Sequence, residues 1–142
     1  MAQVNFYSLQ NEDPESRLLF ACRLIEKARS LGHQVFIQTE SEQQGLALSK
    51  LLWEYRPAAF VPHTTNATGS DANLEPVAIG LEGHASQHHD VLINLDKTAC
   101  ATPEKFSRIN EIICADPAVL ALGRQRYRHY TKGGHALETF KI

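Results

Sequence analysis

Apolar positions change their period several times along the chain, and each change marks an element. Val4 to Leu9 reads as an opening strand. Asn11-Glu12-Asp13-Pro14 then supplies turn residues, an Asp N-cap and a proline at the first helical position. Leu18, Leu19, Cys22 and Ile25 follow at helical spacing, and the pattern runs through Lys27 to Leu31 before Gly32 closes it. This spacing predicts a helix of about four to five turns. Gln34 to Gln38 contains Val35-Phe36-Ile37 without a charge, as expected of a strand covered on both faces in a parallel sheet. The chain up to Gln38 is therefore a βαβ unit.

The same reading continues to the C-terminus. Thr39 or Ser41 caps a second helix through Leu46, Leu48, Leu51, Leu52 and Trp53, which stops before Arg56-Pro57 because a residue preceding proline disfavours helix. Thr64 to Glu75 is a polar loop, and Val77 to Leu81 and Val91 to Leu95 are short strands around a histidine-bearing loop from Glu82 to Asp90. Pro103 to Ser107 reads as a helical turn and Glu111 to Cys114 as a buried strand. Asp116-Pro117 opens a last helix that Gly133-Gly134 ends, and Leu137 to Ile142 reads as an edge strand. Alternating β and α elements predict a single three-layer α/β/α domain over residues 1–142. Its sheet is mostly parallel, with about five strands, Rossmann-like without a nucleotide-binding loop.

Composition narrows the function classes. With 142 residues, 43% of them hydrophobic, the chain can bury one substantial core. No apolar run reaches the roughly 18 to 20 residues of a membrane span, and Met-Ala-Gln-Val-Asn-Phe-Tyr is no signal peptide. A soluble, unprocessed, cytoplasmic protein without membrane contact is expected. Cys22, Cys100 and Cys114 are odd in number and widely spaced, which argues against a disulfide framework or zinc knuckle. A net charge of −2 argues against extensive wrapping of nucleic acid, which needs a broadly basic surface.

Catalytic and cofactor signatures are absent from the sequence. The first strand leads into Gln10-Asn11-Glu12-Asp13-Pro14, with acids where a phosphate loop needs glycines, and neither GxGxxG nor GxxxxGK[ST] occurs. No cofactor is expected. His84, His88 and His89, with Glu82 and Asp90, could in principle meet a transition metal, but a closed tetrahedral set is lacking and a solvated loop is the favoured reading. There is no GxSxG, and nothing near Cys100 marks an activated thiolate, so no catalytic residue is predicted.

Charge is inverted locally near the C-terminus. Between Pro117 and Leu137 the chain carries Arg124, Arg126, Arg128 and Lys132 and no acid. On a helix, Leu120, Arg124, Tyr127, Arg128 and Thr131 share one stripe, while Val119, Leu122, Gly123, Arg126 and Tyr130 lie on or near another. If the second stripe packs on the sheet, the first projects two guanidinium groups around the Tyr127 ring. That arrangement can clamp a carboxylate and seat an apolar group beside it. A plain solvated helix face remains the alternative.

A second unusual segment is Leu51-Leu52-Trp53-Glu54-Tyr55-Arg56-Pro57-Ala58-Ala59-Phe60-Val61-Pro62-His63. Its prolines stiffen a helix exit, so Phe60 and Val61 can be held outward as anchors for a partner at small entropic cost. Burial in the core is the competing use of such aromatics.

Together with Phe6-Tyr7-Ser8-Leu9, Asp90-Val91-Leu92-Ile93-Asn94-Leu95 and Gly134-His135-Ala136-Leu137, these two segments resemble the chi subunits of bacterial DNA polymerase III holoenzyme over nearly the full length. The resemblance implies a non-catalytic accessory subunit of the clamp-loader assembly. Such subunits join the acidic C-terminal tail of single-stranded DNA-binding protein to the psi subunit, associate with DNA only indirectly and sit with the replisome at the nucleoid. By position it puts the tail site on Arg124, Tyr127 and Arg128 with Ile113 at the apolar side, and the psi contact on Phe60 with Trp53, Pro57 and Val61. Leu120 stands where a well-studied chi has lysine, a departure that implies either weaker affinity for the tail or compensation by Arg126 and Lys132. Two other classes stay open: a small α/β enzyme or nucleotide-binding protein, and a direct single-strand binder with tyrosines stacked on bases.

Overall fold

Three runs without a charged residue, Val35–Gln38, Val77–Gly80 and Val91–Asn94, are buried along their whole length and form the middle of a sheet. The computed structural model describes residues 2–55, 63–65, 77–81 and 90–142. Its elements are β1 (Gln3–Ser8), α1 (Ser16–Ser30), β2 (Val35–Gln38), α2 (Glu42–Tyr55), β3 (His63–Thr65), β4 (Val77–Gly80) and β5 (Val91–Asn94), then a 3-10 turn at Pro103–Lys105, β6 (Arg108–Ile113), α3 (Pro117–Lys132) and β7 (Ala136–Lys141). The strands join in the order β3-β4-β2-β5-β6-β1-β7, with every pairing parallel.

Parallel strands need crossovers, and these cover both faces. On one face, Leu18, Cys22 and Ile25 of α1 and Leu48 and Leu52 of α2 pack with Val35, Ile37, Ile79 and Ile93. On the other, Tyr130 of α3 and Cys100 and Phe106 of the β5–β6 connection pack with Val4, Phe6, Phe36, Leu92 and Ile109. This is the expected α/β/α layering.

Local capping follows the sequence. Asp116 accepts from the Val119 N–H at 3.1 Å with Pro117 at the first helical position, and α2 is opened by Ser41, whose hydroxyl accepts from the Gln44 N–H at 3.1 Å. Gly134, at φ 79°, reverses the chain after α3 in the left-handed region that favours glycine.

The sheet has seven strands where the pattern suggested about five. β3 is the strand added to the six runs read as strands, and a separate difference lies in where β6 begins. β3 lies partly within the Thr64–Glu75 stretch read as loop, since three residues are too short for an alternation to register. β6 begins at Arg108 and not at Glu111, because Arg108 and Asn110 are polar and interrupt the apolar signal around Ile109.

Candidate functional site

The setting of α3 comes from an unusual inner face. Its buried residues are Gly123, Arg126 and Tyr130. Gly123 permits close approach to β6, because a Cβ there would stand 2.8 Å from Ile113 Cγ2. Register then places Phe6 of β1, Glu111 of β6 and Asn94 of β5 side by side in one row under the helix.

Glu111 is fully buried and is met from three directions. Arg126 Nε donates to Oε1 at 2.8 Å, while the Tyr130 hydroxyl and Asn94 Nδ2 donate to Oε2 at 2.7 Å and 2.8 Å. Arg126 Nη1 also donates to the Lys97 carbonyl at 3.1 Å, and the Tyr130 oxygen accepts from the Cys100 N–H at 3.1 Å. Burial, and next the Glu111 charge, push the Tyr130 phenol well above its ordinary range. A buried carboxylate of this kind is tolerated because its charge and lone pairs are matched.

This geometry corrects one expectation. Arg126, grouped by sequence with the surface cations, is 4% exposed and consumed by Glu111, so it cannot compensate for Leu120 at the surface. Steps of 100° per residue explain why: Arg124 and Arg128 lie 40° apart around the helix and Arg126 is 200° from each, so burying the middle arginine turns the other two outward.

Arg124, Arg128 and Lys132 are exposed at successive turns, beside a Tyr127 that is 42% exposed. The inner side of the Tyr127 ring rests on Phe6, with centroids 5.3 Å apart, and Phe6 shares its apolar cluster with the half-buried Ile113. Among the described residues no carboxylate pairs with Arg124 or Arg128; the ion pairs there are Arg126–Glu111 and the loose Lys97–Glu40 contact at 4.0 Å. The surface thus offers unneutralised cations around a partly apolar ring.

Among the described residues, the strand ends, where α/β sheets place ligands, carry bonds between the chain's own groups, and a cavity of about 360 Å³ lined by Leu9, Asn11, Arg23 and Ile142 borders the ends of β1 and β7. Ahead of α1, Asn11 Oδ1 accepts from the Asp13 N–H and the Ser16 hydroxyl, and Asp13 Oδ1 accepts from the Glu15 N–H. Beyond β2 and β5, Gln38 donates to Asp96 at 3.0 Å. A cavity of about 100 Å³ there is lined by both charge signs, with Arg17, Lys97, Glu40 and Asp96 on its walls.

The other sequence-predicted positions divide. Trp53, on the last turn of α2, is 58% exposed. Pro57, Phe60 and Val61 lie outside the described residues, as do Glu82, His84, His88 and His89. Asp90 is engaged, accepting from the Gln34 N–H at 2.9 Å. Among the described residues no group of three or more His, Cys, Asp or Glu could hold a metal ion, and no helix is long and apolar enough to cross a membrane. All three cysteines are buried, and burial raises the Cys22 thiol to about 12.

Sequence reasoning missed the partners of Arg126. The available signal was a carboxylate inside Ile109-Asn110-Glu111-Ile112-Ile113, opposite a helix stripe that pairs Arg126 with Tyr130.

Comparison with known proteins adds the family. The family described as DNA polymerase III chi subunit, HolC, matches residues 1–138. A DNA polymerase III subunit chi from Pseudomonas aeruginosa is 37% identical over 142 residues, which is 100% of this chain and 98% of the relative. Proteins of the same name from Haemophilus influenzae and Escherichia coli are 31% and 26% identical, covering 86% and 98% of this chain and 85% and 97% of their own lengths. With agreement from end to end, the chain belongs to the DNA polymerase III chi subunit family.

Proposed function

We propose that this chain is a non-catalytic, cytoplasmic accessory subunit of DNA polymerase III in DNA replication, acting as an adaptor with two protein-binding surfaces. The α3 surface holds the acidic C-terminal tail of single-stranded DNA-binding protein, through Arg124, Tyr127, Arg128 and Lys132 with Ile113 at its apolar side. The α2 exit, from Trp53 through Pro57, Phe60 and Val61, holds the psi subunit. Association with DNA is then indirect.

The observation that carries the tail reading is the exposure of Arg124, Tyr127 and Arg128 on one side of α3 with no described carboxylate pairing the two arginines. A peptide with several aspartates and a terminal apolar residue complements this surface: arginine takes carboxylates bidentately and the ring takes the apolar end. Exposed cations on a protein of net charge −2 suit a short acidic segment better than a nucleic-acid backbone, which asks for many phosphate contacts.

An amide shift map tests the reading. Titration with such a peptide should perturb α3 from Leu120 to Lys132 together with Ile113. Perturbation centred elsewhere, or an equal response to an oligonucleotide with steep salt dependence, contradicts it and favours direct single-strand binding.

A further inference from the structure

We propose that Glu111, Arg126 and Tyr130 are positioning residues for the α3 surface, setting the rotation of the helix at which Arg124, Tyr127 and Arg128 converge on one ligand. The proposal rests on the tail reading above and assigns to the polar cluster beneath α3 a part in recognition beyond fold stability.

Three features support it. First, Val119, Leu120 and Leu122 are only half-buried, while the buried inner face is Gly123, Arg126 and Tyr130. Aliphatic packing is non-directional and tolerates small rotations. Hydrogen bonds to a single carboxylate do not, because they weaken steeply as the donor angle closes.

Second, the bonds constrain α3 from both sides. Arg126 reaches Glu111 on β6 through Nε and the Lys97 carbonyl, beyond β5, through Nη1, while Tyr130 one turn later reaches the other Glu111 oxygen and the Cys100 N–H. Asn94 fixes the carboxylate from the sheet side, and its Nδ2 also donates to the Thr98 carbonyl at 2.9 Å.

Third, small rotations matter outside. At a side-chain radius of about 5 to 6 Å, turning the helix by ~30° moves an outward group by ~3 Å. A bidentate arginine–carboxylate contact does not survive such a displacement. The same turn slides Tyr127 across Phe6.

The test uses the full chain and a fluorescent acidic tail peptide with an apolar C-terminal residue. Arg126→Lys keeps the charge and loses the fork, and Tyr130→Phe removes one hydroxyl; Tyr130→Phe alone decides if Arg126→Lys does not fold. Affinities are measured well below each variant's Tm, with nuclear Overhauser contacts between Phe6 and Tyr127 read in parallel. Expected is a loss of roughly tenfold for Arg126→Lys, a smaller loss for Tyr130→Phe, and a changed Phe6–Tyr127 contact in both, although Arg124 and Arg128 are intact. A lowered Tm with wild-type affinity and an unchanged ring contact overturns the proposal and leaves the tail reading standing. Failure of the wild-type protein to bind the peptide overturns both.

Discussion

Arg126 Nε lies 2.8 Å from Glu111 Oε1 with both side chains out of solvent, while Arg124 and Arg128, two residues to either side, are exposed. One basic run therefore holds two kinds of arginine with opposite thermodynamic roles. Arg126→Ala strands a buried carboxylate and should destabilise the fold by about 3 to 5 kcal/mol. Arg124→Ala and Arg128→Ala should each change stability by less than about 0.5 kcal/mol. Urea denaturation of the three variants checks this, and equal effects would contradict the division.

Gly123→Ala brings a methyl group within 2.8 Å of Ile113 Cγ2. Alanine is the better helix former by about 1 kcal/mol, yet the contact forces α3 away from β6. Net destabilisation of about 1 to 3 kcal/mol is expected. Ile113→Ala in the same chain should recover part of it, so a double-mutant cycle in denaturant should be non-additive. Additive effects would mean that the helix does not rest against Ile113.

Alkaline pH should weaken the fold. The Cys22 thiol is raised from 9.0 to about 12 and the Tyr130 phenol is raised above 10.0, so both hold their protons in the native state at pH values where the unfolded chain has released them. With fewer protons on the unfolded chain, the slope of stability against pH is negative. The contribution of Cys22 is complete below about pH 9 and is lost progressively toward about pH 12, and that of Tyr130 declines from about pH 10 upward. Each group adds a loss of up to roughly 1.4 kcal/mol per pH unit in its window. Denaturant midpoints in that range should fall less steeply for Cys22→Ala and for Tyr130→Phe than for wild type.

Much of this architecture is legible in the residues because local signals and fold agree. Asp116-Pro117 caps α3, Gly133-Gly134 ends it, and Val35–Gln38 is a buried parallel strand. The pattern fails where polar side chains are buried, whether hydrogen-bonded like Glu111 and Arg126 or, like Asn110 Oδ1, without a partner. Asn110 looks like a surface residue and lies in a core strand, and Arg126 reads as a surface cation because its partner is 15 residues away in sequence. Helical spacing puts Arg126 on the stripe of Gly123 and Tyr130; the position of Glu111 beneath that stripe requires the sheet register.

Trp53 is the chain's one tryptophan and is 58% exposed, so its fluorescence reports directly on the proposed psi surface. Psi binding should shift the emission to the blue. Trp53→Ala should weaken pairing by about 2 kcal/mol or more, as for a central aromatic anchor, and leave the affinity for the tail peptide unchanged. Normal co-purification of psi with the variant would move that interface elsewhere.

In the proposed function the outward arginines of α3 hold a terminal acidic segment. Its most direct measurement is calorimetric titration of wild type, Arg124→Ala and Arg128→Ala with an acidic tail peptide and its C-terminally amidated twin. Each substitution should weaken binding of the free-acid peptide by about 1 to 3 kcal/mol, with a smaller effect on the twin, which lacks the terminal carboxylate. Wild-type affinity in both variants, or the same loss for both peptides, would contradict the account.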